Sequence, residues 1–465
     1  MVKTLSMTAF LLLAQLLSLC FLPFSCSSSS RSYVSFSLTH RDAESSLLRV
    51  KEADSSDMPT SEKIPMRDFV VAGRAMRGRI EKQREPIVGR FSYLRENVGE
   101  FYLTMSVGNP PQKLIFTLDT GSELTWTECK PCKVCSKSGS PTFAFNKSSS
   151  YLPVPCSSSL CIQSLGFTSG GGCNNSTGNC MFQLLYGDGS VDAGFVSVDS
   201  FDLGHKLSKS IVFGCVVINM DTVPLPSSGI MGLNAGPFSF TSQLLGKNPA
   251  LPNRFAYCLP DRFKHLNSQG TIMFGEYTLP SSMRYTPLVP PYGPLGNLYY
   301  FVKLEDISVG KMFIKPTRTM NHKGLQIGGT IFDSGTVLTH LEKSLYVEMV
   351  AEMRRQTMHL HPFSAKGSAS DLCYAIPLSA KELPKVPLIT LHFAGKVGME
   401  LRPESVLYPI DIDGKSITLC LAFRSSQASM PLNIIGNYQQ QNYWVEHNLQ
   451  TSSIGLAKAN CVKGR

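Results

Sequence analysis

The chain of 465 residues carries 44 Lys and Arg against 34 Asp and Glu, is 43% apolar and 17% charged, and holds 14 cysteines. Enough apolar surface is therefore available to offset the entropy of ordering, which excludes intrinsic disorder, and collagen and coiled-coil patterns are excluded with it. The length predicts two or three folding units, and 37 Gly with 29 Pro favour short strands joined by turns.

Residues 1–26 read as a secretory signal: Lys3 supplies the positive start, the run from Met7 to Phe24 is apolar, and Ser25, Cys26 and a serine tract follow. The alternative is a membrane anchor, but the run is marginal in length and ends in polar residues. No later stretch suits a bilayer, and Ala459 to Arg465 offers no tail for a glycolipid anchor, so no stable membrane insertion is expected. Without Cys20 and Cys26 twelve cysteines remain, an even number in a compartment where disulfides persist. The spacing of Cys129, Cys132 and Cys135 would suit zinc, but export and the even total favour disulfides, and no metal or cofactor is expected. Asn146, Asn174 and Asn175 lie in N-x-S/T sequons, the acceptor pattern for glycosylation. His359 and His361 read as a surface pair.

Residues 27–97 hold no cysteine, and Arg67 to Arg90 carries seven basic residues against three acidic. Such a stretch is either a solvated helix or a removable prosegment whose cations pair with carboxylates beneath it; its place behind a signal argues against a nucleic-acid role. From Gly99 the texture becomes strands: Phe101 to Val107, a Gly108-Asn109-Pro110-Pro111 turn, and Lys113 to Leu118 running into Asp119. Short apolar runs recur to the end of the chain, with Glu342 to Gln356 the best helical pattern. The Pro-rich stretch Pro287 to Pro294 reads as a connector, dividing the body into lobes at 98–290 and 291–465.

An internal repeat is the most informative feature. Leu118-Asp119-Thr120-Gly121-Ser122-Glu123-Leu124-Thr125 matches Phe332-Asp333-Ser334-Gly335-Thr336-Val337-Leu338-Thr339. Each copy is followed by an apolar-apolar-Gly triplet, Ile230-Met231-Gly232 and Ile434-Ile435-Gly436, whose glycines lie 113 and 103 residues after the respective Asp. Two homologous lobes, each presenting one Asp, follow.

With Tyr186-Gly187-Asp188-Gly189-Ser190, Trp126 seven residues after Asp119, the motif Ile435-Gly436-Asn437-Tyr438-Gln439-Gln440 and the cysteine-rich insert from Cys129 to Cys180, the chain resembles the pepsin-type aspartic proteases of the nepenthesin-like plant branch. The resemblance covers about Gly99 to Cys461. It implies a mainly β, bilobal acid-protease fold and an aspartic endopeptidase made as a zymogen. Asp119 and Asp333 would be the catalytic pair, since two carboxylates sharing one proton supply base and acid at once. Thr120 and Ser334 would cross to the opposite lobe, Gly121 and Gly335 would permit the tight turn that lets the two loops approach closely, and Ser122 and Thr336 would bind the outer carboxylate oxygens. Tyr186, on a mobile hairpin with Gly187, Asp188 and Gly189, would cover the substrate and bond towards Trp126. Cys373 and Cys420 would form the second lobe's bridge, the other pairings staying open. His340 stands where the first lobe has Trp126, and Asn448 where the family commonly has an Asp near the dyad, a change expected to extend activity to less acidic pH than in pepsin.

The partners so implied are peptide or protein substrates and pepstatin-like inhibitors, with the protein a monomer, secreted to the wall space or carried to a vacuole. Two other classes fit the sequence less well. A non-catalytic binding module like the plant xylanase-inhibitor proteins is disfavoured by intact Asp119, Asp333 and Tyr186, and a carboxylate-pair glycosidase by the signature loops.

Overall fold

Alternating burial turns the repeated segments into strands. In Phe101–Val107, here β2, Leu103, Met105 and Val107 are buried while Thr104 faces out, and the turn at Gly108 returns the chain as Gln112–Asp119, β3. The computed structural model describes residues 33–40 and 99–462, apart from 135, 137–138, 165–169, 205–206, 221–226, 247–250, 262–268, 291–297, 317–328, 366–369, 413 and 428–431. The expected signal, Cys135 and the second half of the Pro-rich connector lie outside the described residues, as does the expected prosegment except 33–40.

The sequence duplication is a duplication of topology. Further strands of the first lobe are Trp126–Lys130 (β4), Leu207–Met220 (β5) and Gly229–Gly232 (β6). They stand in the order β3-β6-β4-β5, with β6 parallel to β3, antiparallel to β4, and β4 parallel to β5. The second lobe supplies Thr330–Phe332 (β7), Thr339–Leu341 (β8), Phe423–Ser425 (β9) and Asn433–Ile435 (β10) in the order β7-β10-β8-β9, with the same three directions. Each triplet glycine closes against the loop after the signature: a Cβ on Gly232 would lie 2.1 Å from the Glu123 carbonyl oxygen, and one on Gly436 2.4 Å from that of Val337.

A 16-stranded sheet holds the first lobe's strands and joins them to the second, because Arg254–Cys258 pairs antiparallel with Tyr443–Asn448. Within the basic leader, residues 33–40 form a strand, β1, inserted between β2 and Gln269–Gly275 and matched from Tyr33 opposite Gly275 to Thr39 opposite Gln269. Val34 and Leu38 are buried in the main core, a contribution of about 1.5–3 kcal/mol each. The expected helix is Lys343–Gln356 (α1), with the Glu342 carboxylate capping the Ser344 and Leu345 amides and Arg354 and Arg355 in its last turn, where the helix dipole favours cations. Disulfides join Cys129 to Cys215, Cys156 to Cys173, Cys161 to Cys180, Cys258 to Cys461, and Cys373 to Cys420 as expected. Cys132 is disulfide-bonded as well, so Cys129 and Cys132 of the zinc-like spacing are both in bridges.

The interlobe strands bury one titratable ring without a polar partner. His447 is fully buried, stacked on Phe255 at 4.5 Å and flanked by Tyr300 and Tyr257, and neither ring nitrogen has a hydrogen-bond partner. Burial pushes its pKa down to about 3, so the folded protein holds it neutral. A depressed histidine contributes its full stability above pH 6.5 and loses it as pH falls towards 3, a loss of roughly 5 kcal/mol when complete. His447→Phe is therefore expected to move the acid-unfolding midpoint to lower pH while changing stability little at pH 7; equal midpoints by circular dichroism would contradict this.

Candidate active site

Both Asp residues sit at the ends of short central strands, β3 and just after β7, where the chain leaves the sheet and turns towards the other lobe. Only 8% of either residue is exposed. A reciprocal brace fixes the two loops. Thr120 Oγ1 donates to the Phe332 carbonyl (2.9 Å) and accepts from the Ser334 amide (3.0 Å), while Ser334 Oγ donates to the Leu118 carbonyl (2.9 Å) and accepts from the Thr120 amide (3.1 Å). Each hydroxyl thus satisfies two backbone groups that the turn would otherwise leave unpaired.

The close approach expected at the two glycines is present, although a left-handed turn is not its reason. Neither Gly121 nor Gly335 has a positive φ, so the turn itself does not demand them. A Cβ on Gly121 would fall 2.7 Å from Asp333 Oδ2, and one on Gly335 2.4 Å from Asp119 Oδ1. Each glycine lies against the opposite lobe's carboxylate, and any side chain would occupy the space the pair needs.

Hydrogen bonds orient the carboxylates identically. The Gly121 amide donates to Asp119 Oδ1 (2.8 Å) and Ser122 Oγ to Asp119 Oδ2; the Gly335 amide donates to Asp333 Oδ1 (2.9 Å) and Thr336 Oγ1 to Asp333 Oδ2 (2.6 Å). Burial first, and then the charge of Asp333, push the Asp119 pKa up to about 8 despite the bonds from Ser122 and Gly121. The Asp119 carboxyl therefore holds its proton through the acid range.

The hairpin of Asn179–Leu185 and Val191–Gly204 carries the sequence Tyr186 to Ser190 at its tip. Trp126 Nε1 donates to the Tyr186 hydroxyl (2.6 Å), as expected, and Asp188 accepts from the Ser190 amide (2.9 Å). Gly189 has φ +90, a conformation that glycine adopts without strain. Gln427 Nε2 donates to the Gly187 carbonyl (3.4 Å), so the tip reaches across to the second lobe. Asp119, Asp333, Gly121, Gly335, Ser122, Thr336, Trp126, Tyr186, Gly187 and Asp188 all line one cleft of about 420 Å³.

Several residues of this region carried no assigned role in the sequence. Asn437 Nδ2 donates to the Ser334 carbonyl (3.0 Å) and Gln440 Nε2 to that of Asp333 (3.2 Å), so the quoted Asn437 to Gln440 motif braces the second loop. Tyr299 lines the cleft with its pKa raised to about 12 by burial and then by Asp333, and His340 and Arg424 form part of the second-lobe wall. Asn448 is a correction. Its Oδ1 accepts from the Thr451 amide (3.1 Å) in a turn, and it is not among the cleft-lining residues, so the expected broadening towards less acidic pH has no geometric basis. Asn146 and Asn175 are exposed, and Asn174 is half-buried with Oδ1 accepting from the Ser176 amide.

Comparison with known proteins agrees with this geometry. Residues 101–276 match the family model described as xylanase inhibitor N-terminal, and 299–458 that described as xylanase inhibitor C-terminal. The chain is 32% identical over 375 residues to aspartyl protease family protein 2 of Arabidopsis thaliana, covering 80% of this chain and 73% of that protein. It is 30% identical over 365 residues to aspartic proteinase nepenthesin-1 of Nepenthes gracilis, covering 78% of each. Among solved structures it is similar in fold to basic 7S globulin from soybean, with a TM-score of 0.60 at 17% identity over 79% of this chain and 97% of that one. With two lobes of repeated topology and these relatives along most of its length, the chain belongs to the pepsin-type aspartic proteases, in their nepenthesin-like plant branch.

Proposed function

We propose that the protein is an exported acid endopeptidase, made as a zymogen, in which Asp119 and Asp333 hydrolyse peptide bonds as a dyad holding one proton. The observation that carries this reading is the cross-braced pair of loops, which brings two oriented, buried carboxyls together at the base of a cleft. The ionised carboxyl takes a proton from the attacking water as the protonated one gives its proton to the substrate carbonyl oxygen; on collapse of the resulting diol the first carboxyl passes its proton to the leaving nitrogen and the second regains one from a diol hydroxyl. Ser122 and Thr336 hold the outer oxygens in register, and the apolar rim of Leu184, Ile230, Ile331 and Ile434 receives an extended peptide. Tyr186, tied to Trp126, closes the cleft and keeps bulk water from the dyad.

Residues 1–26 are proposed as the signal and 27–97 as the prosegment, whose basic stretch would quiet the dyad at neutral pH. Within that prosegment β1 is integral to the sheet, so activation has to break its pairing or leave it in place. The test is cleavage of denatured globin in acid by acid-treated protein titrated with pepstatin. Hydrolysis lost at one inhibitor per folded molecule is expected; hydrolysis indifferent to pepstatin would overturn the dyad.

A further inference from the structure

Since the order β3-β6-β4-β5 of the first lobe recurs as β7-β10-β8-β9 in the second, a difference at matched positions of these strands is a difference in what the two walls offer a substrate. In the first lobe Trp126 of β4 pairs with Gly214 of β5 and with Ile230 of β6. Gly214 leaves room for rings: a Cβ there would lie 2.5 Å from Phe182 Cζ and 2.9 Å from Trp126 Cβ. That wall is aromatic and is closed by Tyr186. In the second lobe His340 of β8 pairs with Ile434 of β10 and with Arg424 of β9, so an arginine takes the place of Gly214 beside an imidazole that replaces the indole.

Both His340 and Arg424 line the cleft, and among the described lining residues Arg424 is the sole Lys or Arg. Burial first, and then the Arg424 charge, hold the His340 pKa down at about 3. The wall therefore presents a neutral imidazole and a permanent guanidinium, a planar donor fork suited to a carboxylate. The first-lobe side carries Glu100, Glu123, Asp188 and Asp192, so an acidic peptide side chain meets favourable charge only at Arg424. β9 is three strands from the dyad strand β7, roughly 14 Å at the ordinary strand spacing, and an arginine side chain spans about half of this. What remains is roughly two residues of extended peptide.

We propose that Arg424 is a specificity residue, pairing with an Asp or Glu side chain of the substrate about two residues from the scissile bond, on the second-lobe side of the dyad. This rests on the endopeptidase reading and adds its substrate class. The test uses matched peptides with Asp, Asn or Lys at each of three positions on either side of the bond, cleaved at pH 5 by wild type, Arg424→Gln and Arg424→Glu. Wild type is expected to prefer Asp over Asn by roughly tenfold in kcat/KM at one position. The ratio falls to about 1 in Arg424→Gln, and Arg424→Glu prefers Lys there. Since both peptides meet the same folded fraction, any loss of folded enzyme cancels from the ratio. No preference in wild type, or one that survives Arg424→Gln, overturns the proposal. If no peptide is cleaved, the endopeptidase reading fails instead, and calorimetric binding of the same Asp and Asn peptides to wild type and Arg424→Gln then decides the Arg424 proposal by the same ratio.

Discussion

Asp119→Asn is expected to abolish cleavage and, at neutral pH, to make the protein more stable. The loss of activity follows from chemistry: an amide can neither share the dyad proton nor take one from water, and a fall of roughly a thousandfold or more is expected. The stability gain follows from the raised pKa. An unfolded Asp releases its proton near pH 3.8, whereas Asp119 in the fold holds its proton to about 8, so folding stability falls as pH rises through that window. Below it both states are protonated and the penalty vanishes. Asn carries no charge to bury, so the variant gains on the order of 4 kcal/mol relative to wild type at pH 7 and little at pH 3. Thermal unfolding of both proteins at the two pH values checks this. A variant less stable than wild type at pH 7 by more than at pH 3 would contradict the account of a strained carboxyl pair.

Gly335→Ala should be nearly as damaging to turnover without removing any reacting group. Its methyl would fall 2.4 Å from Asp119 Oδ1 and 2.5 Å from Asp119 Cγ, well inside contact distance. Relief by backbone movement is blocked, because Ser334 next to it is locked into Leu118 and Thr120 on the other lobe, and Asn437 holds the Ser334 carbonyl. The carboxyls must therefore separate or tilt, and a displacement of about 1 Å in a positioned catalytic group costs on the order of a hundredfold. The expected result is a fall of that size in kcat/KM, with circular dichroism and disulfide content unchanged. Activity within about twofold of wild type would mean that the two loops do not need to approach this closely.

What could be read from the sequence was what repeats or sits next to its partner. The signatures, the triplets and the hairpin tip are local strings, and duplication made their joint meaning specific. Helix α1 declared itself by the helical pattern from Glu342 to Gln356, while the capping role of Glu342 is seen only in the structure. The missing parts are those whose environment is assembled from distant chain. β1 pairs with a strand more than 200 residues later, so nothing within Tyr33 to His40 announces that it belongs to the sheet. The burial of His447 comes from rings at 255, 257 and 300. Arg424 belongs to no motif, and only the strand order sets it beside His340 at the cleft. Asn448 misled for the opposite reason: its place in the string suggested the dyad, while its side chain serves a surface turn.

The central claim is that Asp119 and Asp333 work as one titrating unit. The most direct measurement is kcat/KM for a neutral peptide from pH 2 to 8, for wild type beside Asp333→Asn. The account predicts a bell with two apparent pKa values in wild type, and no turnover at any pH in the variant. A folded, correctly bridged wild-type protein that cleaves nothing across the range would contradict it, and would instead make this fold a binding module.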